Sequence, residues 1–122
     1  MSENENIPLP EISPQELASW MLQRPDFLLL DVREPYEFPR ARLDDGRVVN
    51  APLSDLARKQ LEGLPDKVKA DPAATLVVFC HHGFRSAQVA AWLLSLGWSS
   101  VYNLSGGIDA YARQVDPGVG FY

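Results

Sequence analysis

Two uninterrupted apolar segments constrain the fold of this chain more than any other sequence feature. Phe27–Val32 and Thr75–Phe79 lack the polar and apolar alternation of a strand that faces water on one side. Strands of this kind are typical of a sheet that is covered on both faces. The two segments therefore predict a parallel sheet enclosed by helices.

Segments with helical patterns alternate with these strands. Ser13 followed by Pro14 and Glu16 is a capping box, and it predicts a helix that ends before Pro25. Further helices are predicted at about 54–62 with Ser54 as the cap, about 65–70, about 86–96 closed by Gly97, and about 107–114, and further strands at Val48–Val49 and Ser100–Asn103. This alternation predicts an α/β fold in which the pattern alone identifies four strands.

The length and composition predict one folded domain. The chain has 122 residues, of which 46% are hydrophobic and 22% are charged, as in ordinary globular proteins. We interpret residues 1–10, which are polar and then proline-containing, as a flexible N-terminal tail. The domain is predicted to span residues 11–122, with an extended C-terminal tail from about residue 116.

The charge and cysteine content limit the environment and the partners. A net charge of -5 and an isoelectric point near 4.9 argue against binding to nucleic acid or to anionic membranes. The segment Ser2–Asn6 has none of the basic and apolar character of a signal peptide, so we expect a cytoplasmic protein, and a monomer by default. Because one cysteine cannot form an internal disulfide, any thiol that resolves an intermediate must come from another molecule.

That cysteine, Cys80, stands where a buried strand is predicted to end and a helix to begin. The unpaired N–H groups of a helix N-terminus favour an anionic sulfur and also favour a bound anion. Cys80 could instead be a small buried core residue. Gly83, which suits a tight turn, and the flanking His81, His82 and Arg85 favour a reactive nucleophile in a loop that binds anions.

Other residues are predicted to share this sheet edge. Arg33 follows the first long strand, and its planar guanidinium would suit an oxyanion, although an ion pair with Asp31, Glu34 or Glu37 is the alternative. His81 and His82 are expected to donate hydrogen bonds in the loop. A metal is not expected, because adjacent histidines generally point apart and no second cysteine or acidic cluster stands nearby. Phe84, at the tip of the loop, is expected to line a pocket, whereas Trp20 and Trp92 share helical faces with Leu17, Val89, Leu93 and Leu96 and are expected in the core.

Three separated motifs in this order resemble the rhodanese family of sulfurtransferases, and the likeness covers about residues 11 to 115. The motifs are Leu30–Phe38, Cys80–Ser86 and Gly97–Ala110. The resemblance implies a rhodanese-like α/β domain with a five-stranded, mainly parallel sheet and helices on both faces, including a short extra strand near Glu11–Ile12.

The resemblance also implies an activity. Cys80 would be the nucleophile, cradled by the N–H groups of residues 81–86, and would take sulfur from a small anionic donor such as thiosulfate to form a persulfide. Cyanide in an assay, or a thiol or an acceptor protein in the cell, would then remove that sulfur without any cofactor. The implied substrate-binding residues are Arg33, His81, His82, Gly83, Phe84, Arg85 and Ser86.

Two departures and two alternatives stay open. Thiosulfate-using members often carry arginine or lysine early in the loop, where this chain has His81 and His82. The segment Gly106–Ala112 is similar to rhodanese domains of enzymes that activate sulfur-carrier proteins, but Tyr111 replaces a usual tryptophan. One alternative is a noncatalytic rhodanese-like binding module. The other is a thiol phosphatase or arsenate reductase, but these place arginine six positions after the cysteine, and Arg85 is five positions after Cys80.

Overall fold

The computed structural model describes residues 9–122. Five strands form one sheet: β1 (Glu11–Ile12), β2 (Phe27–Asp31), β3 (Val48–Asn50), β4 (Thr75–Phe79) and β5 (Val101–Leu104). Five α-helices accompany them: α1 (Pro14–Gln23), α2 (Leu53–Lys59), α3 (Asp66–Ala70), α4 (Phe84–Ser95) and α5 (Gly107–Gln114). Short 3₁₀ turns lie at Pro35–Glu37, Gln60–Gly63 and Pro117–Val119.

All strand pairs in the sheet are parallel, and the strand order is β1-β5-β4-β2-β3. The α/β prediction is confirmed, and so is the fifth strand that the resemblance implied. The sequence pattern missed β1 because it has only two residues, Glu11 and Ile12, which pair with Asn103 and Leu104 of β5. The order places β4 in the middle, so the loop that follows it is flanked by the ends of β2 and β5.

Both faces of the sheet are buried, which explains the uninterrupted apolar segments. Leu30 and Val78 point into a core cluster with residues of α2, α3 and α4, whereas Leu29 and Phe79 point into a second cluster with α1 and α5. Each such side chain contributes about 1.5–3 kcal/mol when it is fully buried. The two layers fix the strand that carries the cysteine from both sides.

Several boundaries differ from the sequence predictions. Ser54 does not cap α2: the helix begins after Pro52, and the Ser54 hydroxyl lies 2.6 Å from Oε1 of Glu34, to which it donates a hydrogen bond. Helix α4 begins at Phe84, two residues earlier than predicted, because Gly83 with a φ of 100° turns the chain directly into the helix. Leu96 is 46% exposed and does not belong to the core, and Trp20 and Trp92 are only partly buried against it.

Of the two predicted tails, the structure describes the N-terminal one only at residues 9 and 10 and the C-terminal one in full. Residues 1–8 lie outside the described residues, but the carbonyl of Pro10 already accepts a hydrogen bond from the Asn103 N–H at 2.9 Å. The C-terminal segment is not extended: it forms the turn at Pro117–Val119, and the Val119 carbonyl accepts a hydrogen bond from the Arg42 N–H at 3.1 Å. Among residues 9–122, no helix is long and apolar enough to cross a membrane.

Candidate active site

The sulfur of Cys80 lies directly beyond β4 and is surrounded by hydrogen-bond donors. The backbone N–H groups of Gly83 and Ser86 donate to Sγ at 3.2 Å and 3.3 Å, and Oγ of Ser86 lies 3.3 Å from it. Cys80 itself is only 1% exposed. Two backbone donors therefore converge on one sulfur, an arrangement that can stabilise negative charge there during a reaction.

Further backbone donors in the loop are free to bind a reactant. Within residues 9–122, the N–H groups of His81, His82, Phe84 and Arg85 have no protein acceptor among the hydrogen bonds. Phe84 and Arg85 belong to the first turn of α4, where N–H groups have no intrahelical partner. The loop therefore has backbone donors without a protein acceptor in addition to the two that contact the sulfur.

The first turn of α5 holds the Cys80 loop through backbone hydrogen bonds. The N–H groups of Ile108 and Asp109 donate to the carbonyls of Cys80 and His81 at 2.9 Å and 3.0 Å. Gly107 permits this approach: a Cβ on it would lie 2.4 Å from the His81 carbonyl oxygen, and its φ is 68°. The loop is therefore held by backbone contacts that depend on one glycine.

A buried polar chain fixes Ser86. Its hydroxyl donates to Oδ1 of Asn103 at 2.6 Å, and Nδ2 of Asn103 donates to Oε2 of Glu11 at 3.0 Å and to the Gly83 carbonyl at 3.3 Å. Since the single hydroxyl proton of Ser86 is used by Asn103, a Cys80 thiol proton is directed towards Oγ of Ser86. The sequence did not indicate Asn103 or Glu11, whose roles depend on the pairing of β1 with β5.

Arg85 is held by a carboxylate from another part of the chain. Its two terminal nitrogens donate to the two carboxylate oxygens of Glu37 at 2.7 Å and 3.0 Å, and the Glu37 side chain is 8% exposed. Burial by itself raises the pKa of Glu37, but hydrogen bonds from Arg85, the Glu34 N–H and the Tyr122 hydroxyl outweigh it and lower the pKa to about 2. Glu37 is therefore ionised at neutral pH and neutralises Arg85.

Tyr122 connects this pair to the loop. Its hydroxyl donates to Oε1 of Glu37 at 2.8 Å and accepts a hydrogen bond from Nη1 of Arg33 at 3.1 Å. Its ring stacks on His81, with centroids 3.6 Å apart and planes 4° apart. Tyr122 was not among the predicted site residues, because nothing in the local sequence indicates that residue 122 lies beside residue 81.

The two histidines do not point apart, so that part of the sequence argument was wrong. Their rings stack at a centroid distance of 3.8 Å, and burial, with a smaller contribution from His82, lowers the pKa of His81.

In residues 9–122, one set of potential metal ligands lies here: His81, His82 and Asp109, one atom each, all within 4.8 Å. Lone pairs of stacked rings do not converge on one ion, and Oδ2 of Asp109 accepts a hydrogen bond from Arg113 at 2.9 Å. Within residues 9–122, Nε2 of His81 is buried and has no hydrogen-bond partner.

Arg33 lies deeper than the sequence suggested. It is 0% exposed, and its guanidinium donates to both carboxylate oxygens of Asp31, to the Ala41 carbonyl at 2.8 Å and to the Tyr122 hydroxyl. The ion pair with Asp31, which was the alternative to a substrate role, is present. A direct contact between Arg33 and a substrate stays a prediction that this placement does not support.

Phe84, like His82, is an exposed residue of the loop. Its side chain is 80% exposed at the first position of α4, between Gly83 and Arg85. At this exposure the ring is not enclosed by the described residues, so its predicted role in lining a pocket stays a prediction. Of the predicted residues, the structure brings Gly83 and Ser86 into contact with Cys80 and places His81, His82, Phe84 and Arg85 in the same loop.

The family follows from comparison with known proteins. Residues 13–114 match the model of the rhodanese-like domain. The chain belongs to that family. A solved rhodanese-related protein from Thermoplasma volcanium has a TM-score of 0.69 at 26% identity over 87% of this chain and 93% of that chain. The Bacillus anthracis protein CoADR-RHD has a TM-score of 0.71 at 26% identity, covering 93% of this chain and 18% of that one.

Similar curated proteins are longer than this rhodanese-like chain. It is 42% identical to the chloroplastic Rhodanese-like/PpiC domain-containing protein 12 of Arabidopsis thaliana over 98% of its length and 39% of that protein. It is 32% identical to the probable adenylyltransferase/sulfurtransferase MoeZ of Mycobacterium tuberculosis over 91% of its length and 26% of that protein. It is also 32% identical to a tRNA uridine(34) hydroxylase of Erwinia tasmaniensis over 77% of its length and 26% of that protein. The chain thus spans about two fifths or less of these relatives.

Proposed function

We propose that this protein is a sulfurtransferase that carries sulfane sulfur as a persulfide on Cys80, with thiosulfate as a usable donor in an assay. The observation that carries the proposal is the convergence of the Gly83 and Ser86 N–H groups on Sγ, with further unpaired N–H groups in the same loop. A persulfide places its negative charge on the terminal sulfur. The loop donors can stabilise that charge as well as the thiolate.

The proposed reaction has two half-reactions that balance without a cofactor. In the first, the Cys80 thiolate attacks the outer sulfur of thiosulfate, an S–S bond forms to the enzyme, the S–S bond of the donor breaks, and sulfite leaves with the electron pair. In the second, a nucleophile such as cyanide attacks the terminal sulfur, thiocyanate forms, and the Cys80 thiolate is released. A thiol or an acceptor protein would take the place of cyanide in the cell.

The loop geometry supports sulfur rather than phosphate chemistry. The residue six positions after Cys80, where thiol phosphatases place arginine, is Ser86, which contacts the sulfur itself and is 0% exposed. Arg85, one position earlier, is bound to Glu37 instead of being free to bind three phosphate oxygens. A noncatalytic binding module would not need donors directed at a sulfur.

The name of one relative supports a sulfur-transfer pathway as the setting. One is named an adenylyltransferase/sulfurtransferase and another a tRNA uridine(34) hydroxylase, so sulfur carriers and tRNA modification are the settings we propose to examine first. The Arabidopsis relative is named as chloroplastic, and the cytoplasmic location expected for this chain stays a prediction.

Intact-mass measurement tests the proposed function. The reduced protein is exposed briefly to thiosulfate, measured, treated with cyanide and measured again. We expect a gain of one sulfur atom that cyanide removes. Cys80→Ser, treated in parallel, is expected to show no gain.

A matched control separates the site from nonspecific sulfur uptake. Ser95→Ala removes a hydroxyl that is exposed on the far turn of α4 and that donates only to the Trp92 carbonyl. This variant is expected to gain sulfur as the wild-type protein does. No gain in the wild-type protein with any sulfane donor, or an equal gain in Cys80→Ser, would reject a Cys80 sulfurtransferase.

A further inference from the structure

The charge of the residues beside the Cys80 sulfur affects which sulfur donor the site accepts. Arg85 is the permanently charged residue of the loop, and its side chain is 32% exposed. It lies close enough to Cys80 for the two to interact electrostatically, and the hydrogen bonds that it donates to Glu37, above all, raise its pKa. A free guanidinium at this position would attract a dianion such as thiosulfate.

That guanidinium is not free. Both of its terminal nitrogens donate to the buried carboxylate of Glu37, and the Tyr122 hydroxyl and the Glu34 N–H hold Glu37 in place. Bidentate pairing of this kind is short and geometrically specific. The arginine therefore adds hydrogen-bonding structure to the loop but little net charge.

The neighbouring groups do not restore a positive charge. Asp109 and Arg113 form a second ion pair beside the histidines, with Nε of Arg113 2.9 Å from Oδ2 of Asp109. These two residues, together with Arg85 and Glu37, contribute two positive and two negative charges. His81 is half-buried between the Tyr122 and His82 rings, an environment that favours the neutral imidazole.

The loop offers an apolar contact instead of a charge. Phe84 is 80% exposed and directly follows Gly83, whose N–H donates to the Cys80 sulfur, so its ring is free to contact an apolar group of a donor. Burial of such a group is favourable in proportion to its apolar area. The nest of N–H groups still stabilises one negative charge on the transferred sulfur.

We infer that this site prefers donors with one negative charge and an apolar group, such as organic thiosulfonates and persulfides, over the dianion thiosulfate, because Glu37 neutralises Arg85. This inference rests on the proposed function and names the substrate class of the same site. With an organic thiosulfonate, the Cys80 thiolate takes the outer sulfur and an organic sulfinate leaves with the electron pair. The chemistry at sulfur is thus the same for both donor types, and the donors differ in charge and apolar area.

The test compares three donors with cyanide as the acceptor and thiocyanate release as the readout: thiosulfate, methanethiosulfonate and benzenethiosulfonate. Each kcat/KM is divided by the rate of the uncatalysed reaction of that donor with cyanide, which removes differences in intrinsic reactivity. We expect both thiosulfonates to exceed thiosulfate by about tenfold or more, the low end of what local charge does to association rates. Benzenethiosulfonate is expected to be the better of the two, and Phe84→Ala should reduce that difference.

Glu37→Gln is the deciding variant, because it keeps the shape of the side chain and removes the neutralising charge. We expect it to raise kcat/KM for thiosulfate by about tenfold and to raise the values for the thiosulfonates less. The double variant Glu37→Gln with Arg85→Ala should lose this gain if the freed guanidinium causes it. Asp66→Asn, at the exposed start of α3, makes the same change in net charge away from the loop and should change neither ratio.

Salt dependence keeps the inference testable if Glu37→Gln does not fold, which circular dichroism would show. In the wild-type protein, kcat/KM for thiosulfate should not fall by more than about twofold between 0.01 M and 0.15 M salt, because a neutralised site exerts no attraction for salt to screen and the net charge of -5 repels a dianion. A steep fall, or thiosulfate equal to or better than the thiosulfonates, would overturn the inference and leave the proposed function intact. Failure to form a persulfide with all three donors would instead overturn the proposed function.

Discussion

Helices α4 and α5 begin in the same way but use their first turns differently. Each follows a glycine with a positive φ, Gly83 at 100° and Gly106 at 74°, and each starts beyond the carboxyl end of a neighbouring strand. In α4, the Ser86 N–H donates to the Cys80 sulfur. In α5, the corresponding donors are occupied by the carbonyls of Cys80 and His81. A helix N-terminus therefore binds a reactant only where the protein leaves its donors unpaired, and here one terminus supports the other.

The largest expected effect comes from breaking the support that α5 gives. In Gly107→Ala the new Cβ would lie 2.4 Å from the His81 carbonyl oxygen and 2.7 Å from the Cys80 carbonyl oxygen, both of which are backbone atoms. We expect a loss of about 3–5 kcal/mol in the free energy of unfolding, from overpacking and from an unfavourable φ. Urea unfolding measures the loss, and intact mass measures the persulfide yield, which should fall.

Gly97→Ala is the control for that variant. Gly97 also has a positive φ, 109°, but a Cβ there would meet nothing within 4 Å. It should therefore show only the cost of the backbone conformation, about 1 kcal/mol. If Gly107→Ala were no less stable than Gly97→Ala, the supporting role of α5 would be wrong.

A smaller effect should follow from acid, which protonates Glu37 and so weakens its ion pair with Arg85 of the Cys80 loop. The pKa of Glu37 is lowered from 4.5 to about 2, so ionised Glu37 stabilises the folded protein above pH 4.5. This contribution, on the order of 3 kcal/mol at most, is lost as the pH falls from about 5 to 2. The slope of unfolding free energy against pH in this range should be smaller in Glu37→Gln than in the wild-type protein, and equal slopes would contradict the assignment.

The smallest of these effects is expected from Ser86, whose hydroxyl contacts both Cys80 and Asn103. Ser86→Ala removes the hydroxyl but keeps the N–H that donates to Cys80, and it leaves Oδ1 of the buried Asn103 without its donor. We expect a loss of about 1–3 kcal/mol in unfolding free energy, the usual cost of an unpaired buried polar group. Persulfide formation should be slower but not abolished, and rapid-quench mass measurements check this. Complete loss of persulfide would show that the hydroxyl, and not the backbone, is the essential donor.

Features set by neighbouring residues could be predicted from the sequence, whereas contacts between distant segments could not. The Cys80 loop was recognisable because strand, turn glycine and helix follow one another within a few residues, and the buried strands were recognisable from their apolar side chains. Contacts between distant segments were not recognisable: Tyr122 stacks on His81, Glu37 binds Arg85, and Asn103 binds Ser86. Arg33 was assigned a substrate role because its position at the sheet edge was predictable, whereas its enclosure by Asp31, Ala41 and Tyr122 was not.

A crystal structure of the protein after brief exposure to a sulfane donor would show directly how the transferred sulfur is held. We predict one additional sulfur on Cys80, with its terminal atom within hydrogen-bond distance of unpaired loop N–H groups of residues 81–86. The hydrogen bonds from the Ile108 and Asp109 N–H groups to the Cys80 and His81 carbonyls should be unchanged. An additional sulfur that contacts none of these donors, or a loop that moves away from α5 to accommodate it, would contradict the proposal that a loop fixed by α5 stabilises the persulfide.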